Sequence, residues 1–370
     1  MLLSRTGIQI MSSIERVYAY DVLKIIAIVC VIMTHVTSFN VVHSAVGTAA
    51  FQASVFFDSI SHVAVPLFFM VSGALLLDNR RCFDFHVMAK YVKRTFFLLT
   101  FWAFAYELYT ATTIRKVNGV FHSEFHFQFG RFLHGYFHLW FLFAIIGLYL
   151  ITPILKSFVK KENVAVVRWF ILLAFIFQFI LPVLDYIAKF YHDFSLISGF
   201  LRSFRLQFVM GYTTYFLCGW YLANVDLKKI EKGVIYTAGA LSALIIFLGP
   251  LLLSKYDRKA FGMFWSNHAI FKLLFGAAVF LLFSRLFKAP PSRGVWSRIL
   301  VRCSSLVFGI YASHVLVMRY LEKIPFFHLS MDPWTPWLFF PLKCLIVAIL
   351  SFLLVYFLSK IPVVKKIVKC

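Results

Sequence analysis

Charged side chains are scarce in this sequence. They make up 14% of it, against roughly 25% in a soluble globular chain. That is too little polar surface to cover a water-soluble fold of 370 residues. Acidic residues are the scarcest, with 15 Asp and Glu against 37 Lys and Arg, a formal net charge of +22. Cysteine is sparse and scattered. Cys30, Cys82, Cys218, Cys303, Cys344 and Cys370 form no C-x-x-C pair, which argues against a disulfide framework or a zinc site. No P-loop, G-x-G-x-x-G, H-E-x-x-H or G-x-S-x-G is present, and no convincing internal repeat. Strict apolar–polar alternation is also missing, which argues against a β-barrel. A soluble enzyme, a disordered or fibrous chain and a disulfide-rich secreted scaffold are thereby excluded.

What is present is apolar. Hydrophobic residues make up 61% and aromatics 19%, with 46 Phe, and mean hydropathy is +0.84. At about 20 residues per crossing, the length admits on the order of ten helices. No Asp, Glu, Lys or Arg falls between Lys24 and Asp58, and shorter charge-free runs recur along the chain. Together with turn residues they predict an all-α integral membrane protein. Its helices are expected near 18–39, 55–77, 92–113, 136–155, 165–187, 207–224, 233–253, 267–287, 305–321 and 338–359. The expected organisation is a cytoplasmic N-terminal segment 1–17, a ten-helix membrane domain 18–359 and a basic cytoplasmic tail 360–370. The first helix exceeds the about 7–15 apolar residues of a signal-peptide core and is expected to stay; Met11 is a second candidate start.

The basic residues report orientation rather than a nucleic-acid partner, because they sit between apolar runs and form no reader motif. One alternating set of loops holds 23 of the 37 and the opposite set 11. The remaining three, Lys24, Lys272 and Lys343, fall inside expected spans. The bias places both termini in the cytoplasm.

Ionisable groups at membrane depth are costly and therefore candidate functional groups. In the first helix Lys24 and His35 are eleven residues apart, which at about 100° per residue leaves them on one face, about 16 Å apart along the axis. Asp21, one turn before Lys24, is placed to pair with it. The second helix carries Ser72-Gly73, which suits either close helix packing or a site. Lys93-Arg94 at the start of the third suits phosphates or topology alone. Glu107, His138, Trp140, Tyr311 and His314 complete the candidates. His122, His126, His134 and His138 lack tight spacing and carboxylate neighbours, so no metal site is expected.

The ordered set of motifs resembles the acyltransferase 3 family of integral-membrane acyltransferases. It comprises Asp21, Lys24 and His35; Phe68-Phe-Met-Val-Ser72-Gly73; Lys93-Arg94; His138-Leu-Trp140-Phe-Leu with Tyr149 and Pro153; and Gly309-Ile-Tyr311-Ala-Ser-His314. Within the family the chain is similar to the short type typified by the enterobacterial common antigen O-acetyltransferase. Members commonly carry Arg where Lys24 stands, so the charge is kept and the planar fork is lost. The resemblance implies acetyl transfer from acetyl-CoA, a donor substrate rather than a cofactor, to a sugar hydroxyl. The acceptor would be a cell-envelope polysaccharide or its lipid-linked precursor, at a bacterial inner membrane. It implies catalytic roles for His35, Asp21 and Glu107, donor binding by Lys24, Ser72, Gly73, Lys93 and Arg94, and an acceptor side at His138, Trp140, Tyr311 and His314. Membrane lipid is the remaining partner expected. Intramembrane charges and a basic mouth also fit a transporter or flippase of a lipid-linked sugar, which would need no thioester donor.

Overall fold

A computed structural model describes residues 17–117, 120–188, 192–204, 211–255, 264–266, 269–287, 294–324, 327 and 335–362. Nearly all of the N-terminal segment, including Met11, lies outside the described residues, as do the tail beyond 362 and positions 207–210 and 267–268 of two expected helices.

The protein is an all-α membrane protein. Helix α1 spans Tyr18–His43, 26 residues, or about 39 Å at 1.5 Å per residue. It crosses the hydrocarbon core, about 30 Å thick, with length to spare. The second expected helix is two helices, α2 (Ala49–Ser61) and α3 (Ala64–Leu76). The break at His62–Val63 has a local cause: Pro66 has no N–H to donate to the carbonyl of His62, four residues back. The next helix, α4 (Phe85–Ala111), begins earlier than expected because Asp84 caps it, accepting from Val87 N at 2.8 Å. It ends at the β-branched Thr112, Thr113 and Ile114, which favour strand. There β1 (Thr112–Val117) pairs antiparallel with β2 (Val120–Phe125), the one strand pairing among the described residues.

The chain continues through α5 (Phe129–His134), a short turn Phe137–Leu139 and α6 (Trp140–Phe158). Helix α7 (Val164–Ala174) passes through a wide turn at Phe175–Ile180 into α8 (Leu181–Ala188), followed by α9 (His192–Arg202). Then come α10 (Tyr212–Asn224), α11 (Lys229–Leu253), α12 (Ile270–Leu286), α13 (Val295–Ser305), α14 (Val307–Leu321) and α15 (Thr335–Leu358).

Six helical stretches are long and apolar enough to cross a membrane, and the pair α13–α14, bent by 68°, makes up to a seventh. Each expected segment contains helix among the described residues, although 55–77 is broken at His62–Val63 and 92–113 ends in strand. Helices α4, α10 and α12 do not meet the same mark. Basic residues Lys90, Lys93 and Arg94 occupy the first half of α4, and α10 and α12 have 13 and 17 described residues.

Helix α1 runs through the middle of the bundle and touches α2, α3, α12, α13, α14 and α15. Phe96, Leu150, Ile154, Leu338, Leu345 and Phe357 are exposed on the outer surface, as lipid solvation requires. Lipid removes most of the hydrophobic drive for helix association, so close backbone approach does more of the work. A Cβ on Gly73 would lie 1.8 Å from the Phe216 carbonyl oxygen, and one on Gly219 would lie 1.9 Å from that of Met70. Helices α3 and α10 therefore cross backbone to backbone at two reciprocal glycines. Gly276 admits Pro66 in the same way, with 2.6 Å left to a Cβ, and so brings α12 against α3. Lys343, the in-span lysine of α15, stands 3.7 Å from Glu322.

Candidate active site

His35 lies on α1, His138 in the turn before α6 and His314 on α14. Their ring centroids are 5.2 Å (His35–His314), 5.2 Å (His138–His314) and 6.2 Å (His35–His138) apart. Gly135, at φ 69°, starts the turn that swings His138 inward, since an L side chain is disfavoured there. His138 and His314 are fully buried.

Backbone carbonyls set their tautomers. His314 Nδ1 is 2.6 Å from the carbonyl of Tyr311, so Nδ1–H donates and Nε2 keeps its lone pair. His138 Nε2 is 3.3 Å from the carbonyl of Ala312, so Nε2–H donates and Nδ1 keeps its lone pair. Both lone-pair nitrogens, His314 Nε2 and His138 Nδ1, are buried without a hydrogen-bond partner. The Tyr311 hydroxyl donates to the His138 carbonyl. The Tyr106 hydroxyl donates to Ala312 O at 3.0 Å and accepts from Leu316 N at 2.9 Å. It thus bridges two groups that a regular helix joins directly, and ties α4 to the stretch of α14 that holds both rings.

His35 opens onto a half-open cavity of about 220 Å³. Trp140, Phe141, Phe68, Tyr311 and Trp265 give it aromatic walls, and Lys272 and His62 line it too. Asp58, 4% exposed, stands behind His62, with Oδ2 3.2 Å from His62 Nε2 but off the line of a straight hydrogen bond. The Thr37 hydroxyl, which donates to the Met33 carbonyl at 2.9 Å, lies 3.4 Å from the other oxygen, Oδ1. Sequence reasoning passed over Asp58 and His62. Their signal was available: an acid and a histidine four residues apart inside an apolar run, one turn before Pro66. Among the described residues no group of three or more His, Cys, Asp or Glu side chains is placed to hold a metal ion.

The other expected residues fall elsewhere. Asp21 is fourteen residues from His35, about 21 Å along α1. It accepts from Ser304 Oγ at 2.5 Å, tying α1 to α13, so it stands at the far end of the helix and not beside the imidazoles. Lys24 is half-buried on the same helix. Lys93 is exposed and reaches over the Phe97 ring at 6.0 Å. Arg94 is half-buried, with Nη2 buried and unpartnered. Ser72 is half-buried, whereas Gly73 is fully used by the crossing with α10.

Glu107 corrects the expectation that it joins the histidines. Its Oε2 accepts from Arg131 Nε at 2.5 Å, and its Oε1 from Arg131 Nη2 and Gln128 N, each at 2.7 Å. Both oxygens thus clasp the segment after the hairpin onto α4, and Glu107 is not among the residues that line the cavity. Past the end of α3, Lys156 Nζ donates to the Asp78 carbonyl at 2.7 Å. Burial works against ionisation of Asp78, but hydrogen bonds from the Arg80 guanidinium and backbone N–H outweigh it and hold the carboxyl below its usual range.

The bundle is lipid-faced and holds an aromatic-walled cavity, with His35 on its lining and His138 and His314 against His35. The chain belongs to the acyltransferase 3 family: the family model, an acyltransferase domain, matches residues 17–356. It is a multi-pass membrane acyltransferase. Comparisons with curated proteins and with solved structures each gave no match.

Proposed function

We propose that this acyltransferase moves an acetyl group from cytoplasmic acetyl-CoA to a sugar hydroxyl of a cell-envelope polysaccharide or its lipid-linked precursor. The observation that carries the reading is His35, which lines the half-open cavity while resting on two neutral imidazoles. A group that meets a thioester must keep a ring lone pair available, and neutral histidine at membrane depth does so. The volume of about 220 Å³ lies below the about 300–1,000 Å³ of drug-sized pockets. It suits an acyl group with the edge of one sugar at a time.

In this reading the chain crosses a bacterial inner membrane ten times, with both termini in the cytoplasm. Lys24, Lys93 and Arg94 then stand at the inner face and hold the phosphates of CoA, and the unpartnered Arg94 Nη2 supports an anion there. Ser72 lies on the donor route. Asp21 fixes the inner end of α1 through Ser304. Trp140 and Tyr311 form the acceptor wall, and His138 and His314 hold His35 in place.

The test is incorporation of labelled acetate into envelope glycans in cells carrying the intact gene, a deletion or His35→Ala. Loss of glycan O-acetyl groups in both altered strains, by at least about 10²-fold in rate for His35→Ala, is expected. The His35→Ala protein should remain folded, with glycan amount unchanged. Unchanged acetylation with accumulating lipid-linked precursor would refute the reading in favour of a flippase.

A further inference from the structure

We infer that His62, oriented by Asp58, is the base that takes the proton of the acceptor hydroxyl, while His35, across the same cavity, carries the acyl group. The inference rests on the acyl-transfer reading above and divides its chemistry between two walls of one cavity.

Three observations carry it. First, His35 and His62 both line the cavity, from α1 and from the α2–α3 break. Pro66 interrupts the helix at that residue, so His62 stands at the end of α2, on the cavity lining. Second, the two histidines have different support. His62 Nε2 lies 3.2 Å from a buried carboxylate, Asp58. With Nε2 on the carboxylate side, Nδ1 is left to accept a proton, and the charge of Asp58 offsets that of Lys272, which opposes the imidazolium. His35 instead rests on the rings of His138 and His314, each with a buried, unpartnered lone pair. The charge of Asp58 reaches His35 too, but its contact is with His62. Third, Lys272 lines the same cavity and interacts with Asp58, which keeps a carboxylate tolerable at this depth. Trp265, with its ring centroid 5.0 Å from that of His62, helps exclude water.

The steps balance. A ring nitrogen of His35 bonds to the thioester carbonyl carbon, the carbon–sulfur bond breaks, and the electron pair leaves on the CoA sulfur. The acceptor oxygen then bonds to that carbon as its proton passes to His62 Nδ1. The carbon–nitrogen bond breaks and returns its pair to His35 as neutral imidazole. The proton on His62 ends on the thiolate, giving free CoA thiol. Nothing is oxidised or reduced.

The experiment uses the full chain in membranes with labelled acetyl-CoA and hydroxylamine as the probe acceptor, beside glycan O-acetylation in cells. Hydroxylamine attacks an acyl-imidazole without a base. His62→Gln should lower the rate of glycan acetylation by about 10²–10⁴-fold. It should still release CoA to hydroxylamine as the unsubstituted protein does, which also shows that it folds. Asp58→Asn, the positioning residue, should give the same split to a smaller extent, whereas a purely structural defect would lower both rates together. His35→Ala should lose both. Glycan acetylation unchanged in His62→Gln, or both rates lost together there, would overturn the base assignment. An unsubstituted protein that acetylates glycan but never discharges acetyl to hydroxylamine would overturn His35 as carrier. If it does neither, the underlying acyl-transfer reading fails instead.

Discussion

Gly73 invites a decisive substitution, because its motif suits donor binding while its place in the fold is a helix crossing. A Cβ there would sit 1.8 Å from the Phe216 carbonyl oxygen, and ordinary contact begins at 3.4 Å. Helices α3 and α10 would have to part by about 1.6 Å, and the obstacle is backbone, which has no rotamer with which to yield. Overpacking of this kind costs about 1–3 kcal/mol and sometimes more; a contact made of main chain on both sides belongs at the top of that range. The shift per kcal/mol falls with chain length, to about 1–2 °C at 370 residues, so Gly73→Ala should lower Tm by on the order of 3–6 °C in detergent. Thermal unfolding followed by size-exclusion chromatography reads this directly. Gly219→Ala, facing the Met70 carbonyl at 1.9 Å, should do the same, and the two together should cost less than their sum, because one separation makes room for both methyl groups. Gly147→Ala, with nothing within 4 Å of the added carbon, should not destabilise. If Gly73→Ala keeps its Tm yet loses acyl transfer, the crossing is not its task and the argument from packing is refuted.

Two further predictions concern the polar ties. Tyr106→Phe deletes the hydroxyl between Ala312 O and Leu316 N and should cost about 1–3 kcal/mol, read as a fall in Tm. It should also slow acyl transfer, since Ala312 positions His138. Asp78 is held below its usual value of 3.8, so its contribution is present above that pH and fades as pH falls through the lower folded value. Asp78→Asn should therefore be less stable than the unsubstituted protein at neutral pH. The difference should close below pH 3.8, and a Tm gap that widened there would refute the assignment.

Much of the site could be read locally. Lys24 and His35 share a face of α1 because eleven residues make nearly three full helical turns, an arithmetic that needs no tertiary structure. Asp58 and His62 were equally legible at their four-residue spacing, and Pro66 marked the break beside them. The meeting of His35 with His138 and His314 was not legible, because it joins three segments more than 100 residues apart at their closest, and no local pattern encodes which helix faces meet. Nor was the partner of Glu107 apparent: Arg131 follows it by 24 residues, across a hairpin that helix periodicity did not reveal. Ser72-Gly73 was ambiguous for a different reason, since a small residue serves a ligand or a neighbouring helix equally well until the neighbour is seen.

The sequence by itself determined that this protein lives in a membrane and where its main apolar segments fall, because the cost of placing charge or unpaired backbone in hydrocarbon acts on every short segment separately. Only the tertiary structure decided which polar groups share a cavity and which are spent on holding the bundle together. Side-chain contacts across helices depend on crossing points, and those are set by pairs of small residues such as Gly73 and Gly219, whose partners lie far away in the chain.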